Sequence, residues 1–173
     1  MSDRAKPSIA LLAAPETSSS VLYGLYDVLL SVGAVYSDMT TGQPDECLLD
    51  VKIVARDDKP FRCFGNVLVE PHSGVDSIEK IDVVIVCDMY SPIDTPLGGR
   101  YRREIDWLKQ MHAGGSILAS VAQAHCCWRK RVCSTGSSVP ATGGIETCSA
   151  NTTRRSDFAR IQSSASQARM PES

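Results

Sequence analysis

Leucine is absent from Val121 to the end of the chain, a stretch of 53 residues, although the first 120 residues hold twelve. Leucine is among the commonest residues of folded domains, so this last third does not read as a continuation of what precedes it. In its place stand nine serines, four of the seven cysteines, and seven Lys or Arg against three Asp or Glu. Long apolar runs are missing too. No run approaches the ~20 residues that cross a bilayer, and Ser8–Ala14 is too short for a signal peptide's apolar core with its cleavage site. These absences predict a soluble, cytoplasmic protein that spans no membrane, its cysteines free thiols. Charge imbalance is also lacking: a net charge of −2 and a pI near 5.9 give no nucleic-acid footprint over the whole chain. Arg129-Lys130-Arg131 and Arg154-Arg155 make the end locally basic, which reads as a solvated segment.

What is present over the first 121 residues follows the alternation of a parallel α/β protein. Ser8–Ala14 is a short continuous apolar run, suited to a strand covered on both faces. Pro15-Glu16-Thr17-Ser18 supplies turn and N-cap chemistry. Val21, Leu22, Leu25, Val28, Leu29 and Val32 then fall on one helical face, and Gly33 ends the helix. Asp38–Glu46 reads as a polar loop. Leu49–Val54 reads as a second strand, Pro60–Phe64 with Val67–Val69 as a small hairpin, and Ser73–Ile81 as a short helix or turn. Val83–Cys87 is the strongest buried strand, and it runs into the loop Asp88–Pro92. Tyr101, Ile105, Leu108 and Met111 share a helical face stopped by Gly114-Gly115, and Ser116–Val121 is a further strand. Ligands of such sheets sit outside the carboxyl ends of the strands. That places the site at Pro15–Ser18, Asp88–Pro92 and whatever follows Val121.

Several local motifs carry a family resemblance. They are Leu11-Leu12-Ala13-Ala14-Pro15, Tyr23-Gly24-Leu25-Tyr26-Asp27-Val28-Leu29, Asp82-Val83-Val84-Ile85-Val86, Trp107-Leu108-Lys109-Gln110-Met111 and Gly115-Ser116-Ile117-Leu118-Ala119-Ser120-Val121. Together, over residues 7–121, they resemble the ThiJ/PfpI family within the class I glutamine-amidotransferase-like folds, and in particular the N-terminal domain of GlxA-type regulators of the AraC family. The resemblance implies a flavodoxin-like three-layer α/β sandwich with an open parallel sheet. It also implies that residues 1–121 form only part of such a domain.

In that family a cysteine follows the last of these strands on a tight elbow, where the helix N-terminus favours its thiolate. Here the position holds Ala122, followed by Gln123-Ala124-His125. The acid that supports the thiol in enzymatic members falls at Val21; Glu16 lies near without matching, and Asp27 matches a family acid whose simplest role is structural. An alanine cannot be a nucleophile, so no catalytic residue is expected.

The genetic code offers a reason. Read one base earlier from the last base of the Val121 codon, the text permits Cys-Ser-Gly-Ser-Leu-Leu-Leu. The three leucines are forced, because Cys126, Cys127 and Trp128 begin with TG and each preceding base is a pyrimidine. Continuing through Gly136 permits Ala-Glu-Ala-Gly-Leu-Leu-Asp-Gly, so an elbow, an amphipathic helix and a glycine stop are recovered. Residues 122–173 are therefore expected to be an out-of-frame, disordered tail.

The remaining candidates weigh as follows. Glu16, Asp88, Tyr90 and Ser120 are the expected ligand-contacting residues. Ser120 is not read as a hydrolytic serine, since no Gly-x-Ser-x-Gly surrounds it. His125, Cys126, Cys127, Cys133 and Cys148 suggest zinc, but no common C-x₂-C pair is present, and no metal is expected. No cofactor is expected. Cys87 reads as an inert core residue or a thiol at the pocket edge; Cys47 and Cys63 lie in or beside loops. Arg100-Tyr101-Arg102-Arg103 reads as an exposed helix start with some anion affinity. The function implied is a small-molecule-sensing domain of a regulator, with a homodimer possible by resemblance. The chain carries no helix-turn-helix, so no DNA binding by it is expected. The rival is the remnant of a cysteine-dependent amidase, hydrolase or glyoxalase-like enzyme.

Overall fold

A computed structural model describes residues 5–43, 45–90 and 99–121, together with the backbone of Ile145–Cys148. Strand β1 (Ser8–Leu12) is followed by helices α1 (Ser19–Leu30) and α2 (Ala34–Thr41), and then by strand β2 (Asp50–Ala55). A hairpin, β3 (Phe61–Arg62) and β4 (Leu68–Val69), precedes the short strand β5 (Ser73–Gly74) and a 3₁₀ turn at Val75–Ser77. Strand β6 (Val83–Val86), helix α3 (Arg102–Ala113), strand β7 (Ile117–Val121) and strand β8 (Ile145–Cys148) complete the order.

The main sheet runs β5-β2-β1-β6-β7-β8. Its first five strands are parallel, and β8 adds antiparallel to β7 with Ser120 opposite Glu146. The fold is thus the α/β arrangement that the alternation predicts, and the flavodoxin-like sandwich that the resemblance implies. Successive strand residues point to opposite faces, and the two cores follow this period. Ala10, Leu12, Val84 and Val86 pack with Tyr101, Ile105, Trp107, Leu108 and Met111 of the α3 layer. Leu11, Ala13, Ile53 and Cys87 pack with Leu22 and with Cys63 and Val69 of the hairpin region. Leu11, Leu22 and Leu108 are among the largest fully buried side chains.

The structure departs from the sequence reading at four places. The inward stripe of α1 is Leu22, Tyr23, Leu25, Tyr26 and Leu29, whereas Val28 is 65% exposed and Val32 39%. Both tyrosines keep their hydroxyls bonded, Tyr23 to the Leu68 carbonyl at 3.2 Å and Tyr26 to His72 Nε2 at 3.3 Å, so their rings can be part of the packed stripe. Ala34–Thr41 overlaps the start of the expected loop but is helical. Gly33 turns the chain into it at φ 86° and Gly42 ends it in the left-handed region at φ 69°. Ser73–Ile81 splits into β5 and the 3₁₀ turn. Ile145–Cys148 forms an edge strand where the sequence shows no sustained period. Among the described residues no helix is long and apolar enough to cross a membrane.

Candidate functional site

Three connections meet at the carboxyl end of the sheet, and main-chain bonds hold them together. After β1 the chain turns back over Ala14–Thr17: the Thr17 amide donates to the Ala14 carbonyl at 2.9 Å, while the Ala14 amide donates to Thr17 Oγ1 at 2.8 Å. Thr17 is fully buried, and this side-chain bond is what lets a polar residue sit there. The Ser18 amide donates to the Asp88 carbonyl at 2.9 Å, and the Tyr90 amide donates to the Glu16 carbonyl at 2.8 Å. The Phe64 amide donates to the Thr17 carbonyl at 3.1 Å, which brings in the hairpin.

The Glu16 side chain is only 14% exposed. Its carboxylate pairs with the Arg100 guanidinium and accepts a hydrogen bond from the Tyr101 hydroxyl. Burial, and then the hydrogen bond to Glu16, push the Tyr101 phenol above its usual range, so it stays protonated and acts as a donor. A second pair lies beside the first. Arg56 Nε and Nη2 donate to the two Glu104 oxygens at 2.8 and 3.1 Å, and Nη2 also donates to the Arg100 carbonyl. Glu104 is 4% exposed at the side chain, and Arg56 is 46% exposed. The bond to Glu104 raises the Arg56 pKa, and the two parallel contacts make the pair fork-shaped.

Of the expected ligand contacts, Glu16, Asp88 and Tyr90 are brought together. Tyr90 is exposed, its ring 4.8 Å from that of Phe64. Ser120 lies on the same carboxyl edge, in register with Val86 two residues before Asp88. Ala122, His125, Cys126, Cys127 and Cys133 lie outside the described residues. Val21, on the first turn of α1, carries no acid. Cys87 has no exposed surface, and its burial, with Asp88 second, pushes the thiol up to about 12. Such a thiol is not a nucleophile at neutral pH. Cys63 is a core residue whose thiol is likewise raised by burial.

Sequence reasoning missed Arg56, Glu104 and the role of Tyr101. The stretch expected as an exposed helix start holds Tyr101 at 4% exposure, and its Arg103 is bound to Asp57 and Asp76. Tyr101 is 85 residues from Glu16, and Glu104 is 48 from Arg56; no local spacing signals such pairs. Among the described residues no group of three or more His, Cys, Asp or Glu side chains is placed to hold a metal ion. The arrangement offers donors, acceptors and a shaped carboxyl edge for a bound molecule.

No family model matches the chain, and no curated protein matches it in sequence. Solved structures do match in fold. A protein from Vibrio parahaemolyticus described as a transcriptional regulator aligns with TM-score 0.57 and 15% identity, over 73% of this chain and 61% of its own. DJ-1beta of Drosophila melanogaster aligns with TM-score 0.53 and 19% identity, over 73% and 60%. The chain thus spans about three fifths of the length of each. What is shared is the DJ-1-like α/β fold.

Proposed function

We propose that residues 1–121 are the ligand-sensing part of a ThiJ/PfpI-type domain from a GlxA-like transcriptional regulator, without catalytic chemistry of its own. The observation that carries the reading is the Glu16 carboxylate, almost buried at the carboxyl end of β1 and held from α3's approach by Arg100 and Tyr101. A general base needs a free lone pair and a proton to take within reach. Here the carboxylate is committed to fixing the loop, and the buried thiol of Cys87 offers no nucleophile. The fold likeness to a protein described as a regulator supports the same reading.

Two measurements on the purified chain separate this reading from the thiol-enzyme rival. Iodoacetamide at pH 7 is expected to modify no cysteine faster than it modifies free cysteine, and a panel of small metabolites is expected to contain members that raise the melting temperature. A single fast-reacting thiol together with turnover of an amide, ester or 2-oxoaldehyde overturns it.

Residues 122–173 are proposed to be out-of-frame text. The three forced leucines and the arrival of elbow chemistry beside Val121 carry this part. The strand Ile145–Cys148 is compatible with it, since an edge strand pairs through main-chain groups and asks little of its sequence. Sequencing an independent clone across the Ser120 codon tests it; an uninterrupted frame with no Cys-Ser-Gly text nearby refutes it.

A further inference from the structure

A cleft of about 330 Å³ opens between the turn after β1, the loop after β2 and the approach to α3. It lies on the β2 side of β1, away from Asp88 and Ser120, and Glu16's partners Arg100 and Tyr101 line it. Its volume is at the lower end of small-molecule sites. Ala13, Ala55, Pro60 and Phe61 give it apolar walls, and the alanines let a ligand come close to the strand ends.

Three cations, Arg56, Lys59 and Arg100, line the cleft against two anions, Asp57 and Glu104. Glu104 is paired with Arg56 and Arg100 with Glu16, while Arg103 is shared between Asp57, at 2.9 Å, and Asp76. Lys59, which also lines the cleft, has no ion pair among the described residues. Arg56 is held by its fork on Glu104 through Nε and Nη2, so the two N–H groups of Nη1 carry no hydrogen bond among the described residues. The cleft therefore holds a lysine with no ion pair among the described residues, a fixed guanidinium edge and an apolar body.

We propose that this cleft is a subsite for a small organic monocarboxylate, with Lys59 and the open edge of Arg56 receiving the carboxylate and Ala13, Ala55 and Phe61 packing its apolar part. A single planar anion matches one ammonium and a guanidinium edge, whereas a phosphate dianion would keep unmatched charge against Glu104 and Asp57. The proposal rests on the sensing reading above, for which it names a ligand class.

The test titrates the full chain with phenylacetate, with its neutral isostere phenylacetamide and with inorganic phosphate, reading backbone amide shifts by NMR. Phenylacetate is expected to give saturable shifts at Ala13, Ala55 and Phe61. Phenylacetamide and phosphate are expected to bind about tenfold more weakly, and Lys59→Met to weaken phenylacetate about fivefold with unchanged melting. Lys59 is exposed, so this substitution leaves the core intact. Equal binding of the amide, tighter binding of phosphate, shifts indifferent to Lys59→Met, or no shifts up to about 10 mM each overturn the proposal. If metabolites raise the melting temperature while phenylacetate leaves these amides unmoved, only the subsite falls. A fast thiol together with turnover removes the sensing reading itself.

Discussion

The Arg56–Glu104 pair gives the sharpest quantitative test of how the carboxyl edge is held. Arg56→Ala leaves a carboxylate that is 4% exposed without the donors that reached both its oxygens. Breaking a fully buried pair costs about 3–5 kcal/mol, and an exposed pair is worth about 1 kcal/mol or less. With Arg56 46% exposed, the case falls between, and a loss of about 2 kcal/mol is expected for Arg56→Ala. The matched change, Arg56→Met with Glu104→Leu, removes both charges and keeps volume, and is expected within about 1 kcal/mol of wild type. A double-mutant cycle by urea unfolding at pH 7, followed by far-UV circular dichroism, reads the coupling directly. If the single costs simply add in the double variant, to within about 0.4 kcal/mol, the pair does not hold the edge and the reasoning fails.

Other perturbations follow from packing and hydrogen bonding. Leu22→Ala is expected to cost about 3 kcal/mol because Leu22 is fully buried, while Val28→Ala on the same helix is expected within about 0.5 kcal/mol; equal costs would return the inward stripe to the valines. Gly33→Ala forces a side chain at φ 86° to within 2.5 Å of Leu48 Cγ, and about 1–2 kcal/mol of stability is expected to be lost, measured by thermal melting. Asp82 ties β6 to β1, accepting from the Ser8 amide at 2.8 Å and from Ser8 Oγ at 2.7 Å, which hold its carboxyl below the usual range. Its contribution is therefore present above the ordinary aspartate value of about 3.9 and is lost as pH falls through its lower folded value. The stability difference between wild type and Asp82→Asn should shrink on that descent, and a difference that grows instead would contradict the assignment. Residues 1–173 are expected to shift no operator DNA in a gel, and specific binding would overturn that expectation.

The parts of this fold that could be read from sequence are those with one dominant period. β1, β6 and β7 are runs of Ile, Leu, Val and Ala with no room for a helix, and α3 shows Tyr101, Ile105, Leu108 and Met111 at helical spacing, all buried. The inward face of α1 is not legible from its aliphatic residues alone, because Tyr23 and Tyr26, rings with bonded hydroxyls, rotate it away from Val28 and Val32. α2 is not legible because Ala34–Thr41 lacks an apolar stripe and ends in threonines, one of which donates back to the Ser37 carbonyl at 2.7 Å. The loops that bring Glu16, Asp88 and Tyr90 together were legible from the rule that ligands gather at carboxyl ends. The ionic partners of Glu16 and Glu104 were not, because long-range pairing leaves no trace in local spacing.

The bridges that Thr17 makes to Met89 and Ser18 makes to Phe64 have a mechanical corollary. Peptide groups bonded this way cannot be displaced one at a time, so the first turn, the hairpin tip and the exit of β6 travel as a single plate. Any molecule that pulled Arg100 or Tyr101 off Glu16 would tilt that plate. The exposed rings of Phe64 and Tyr90 would then present a different surface to whatever faces them.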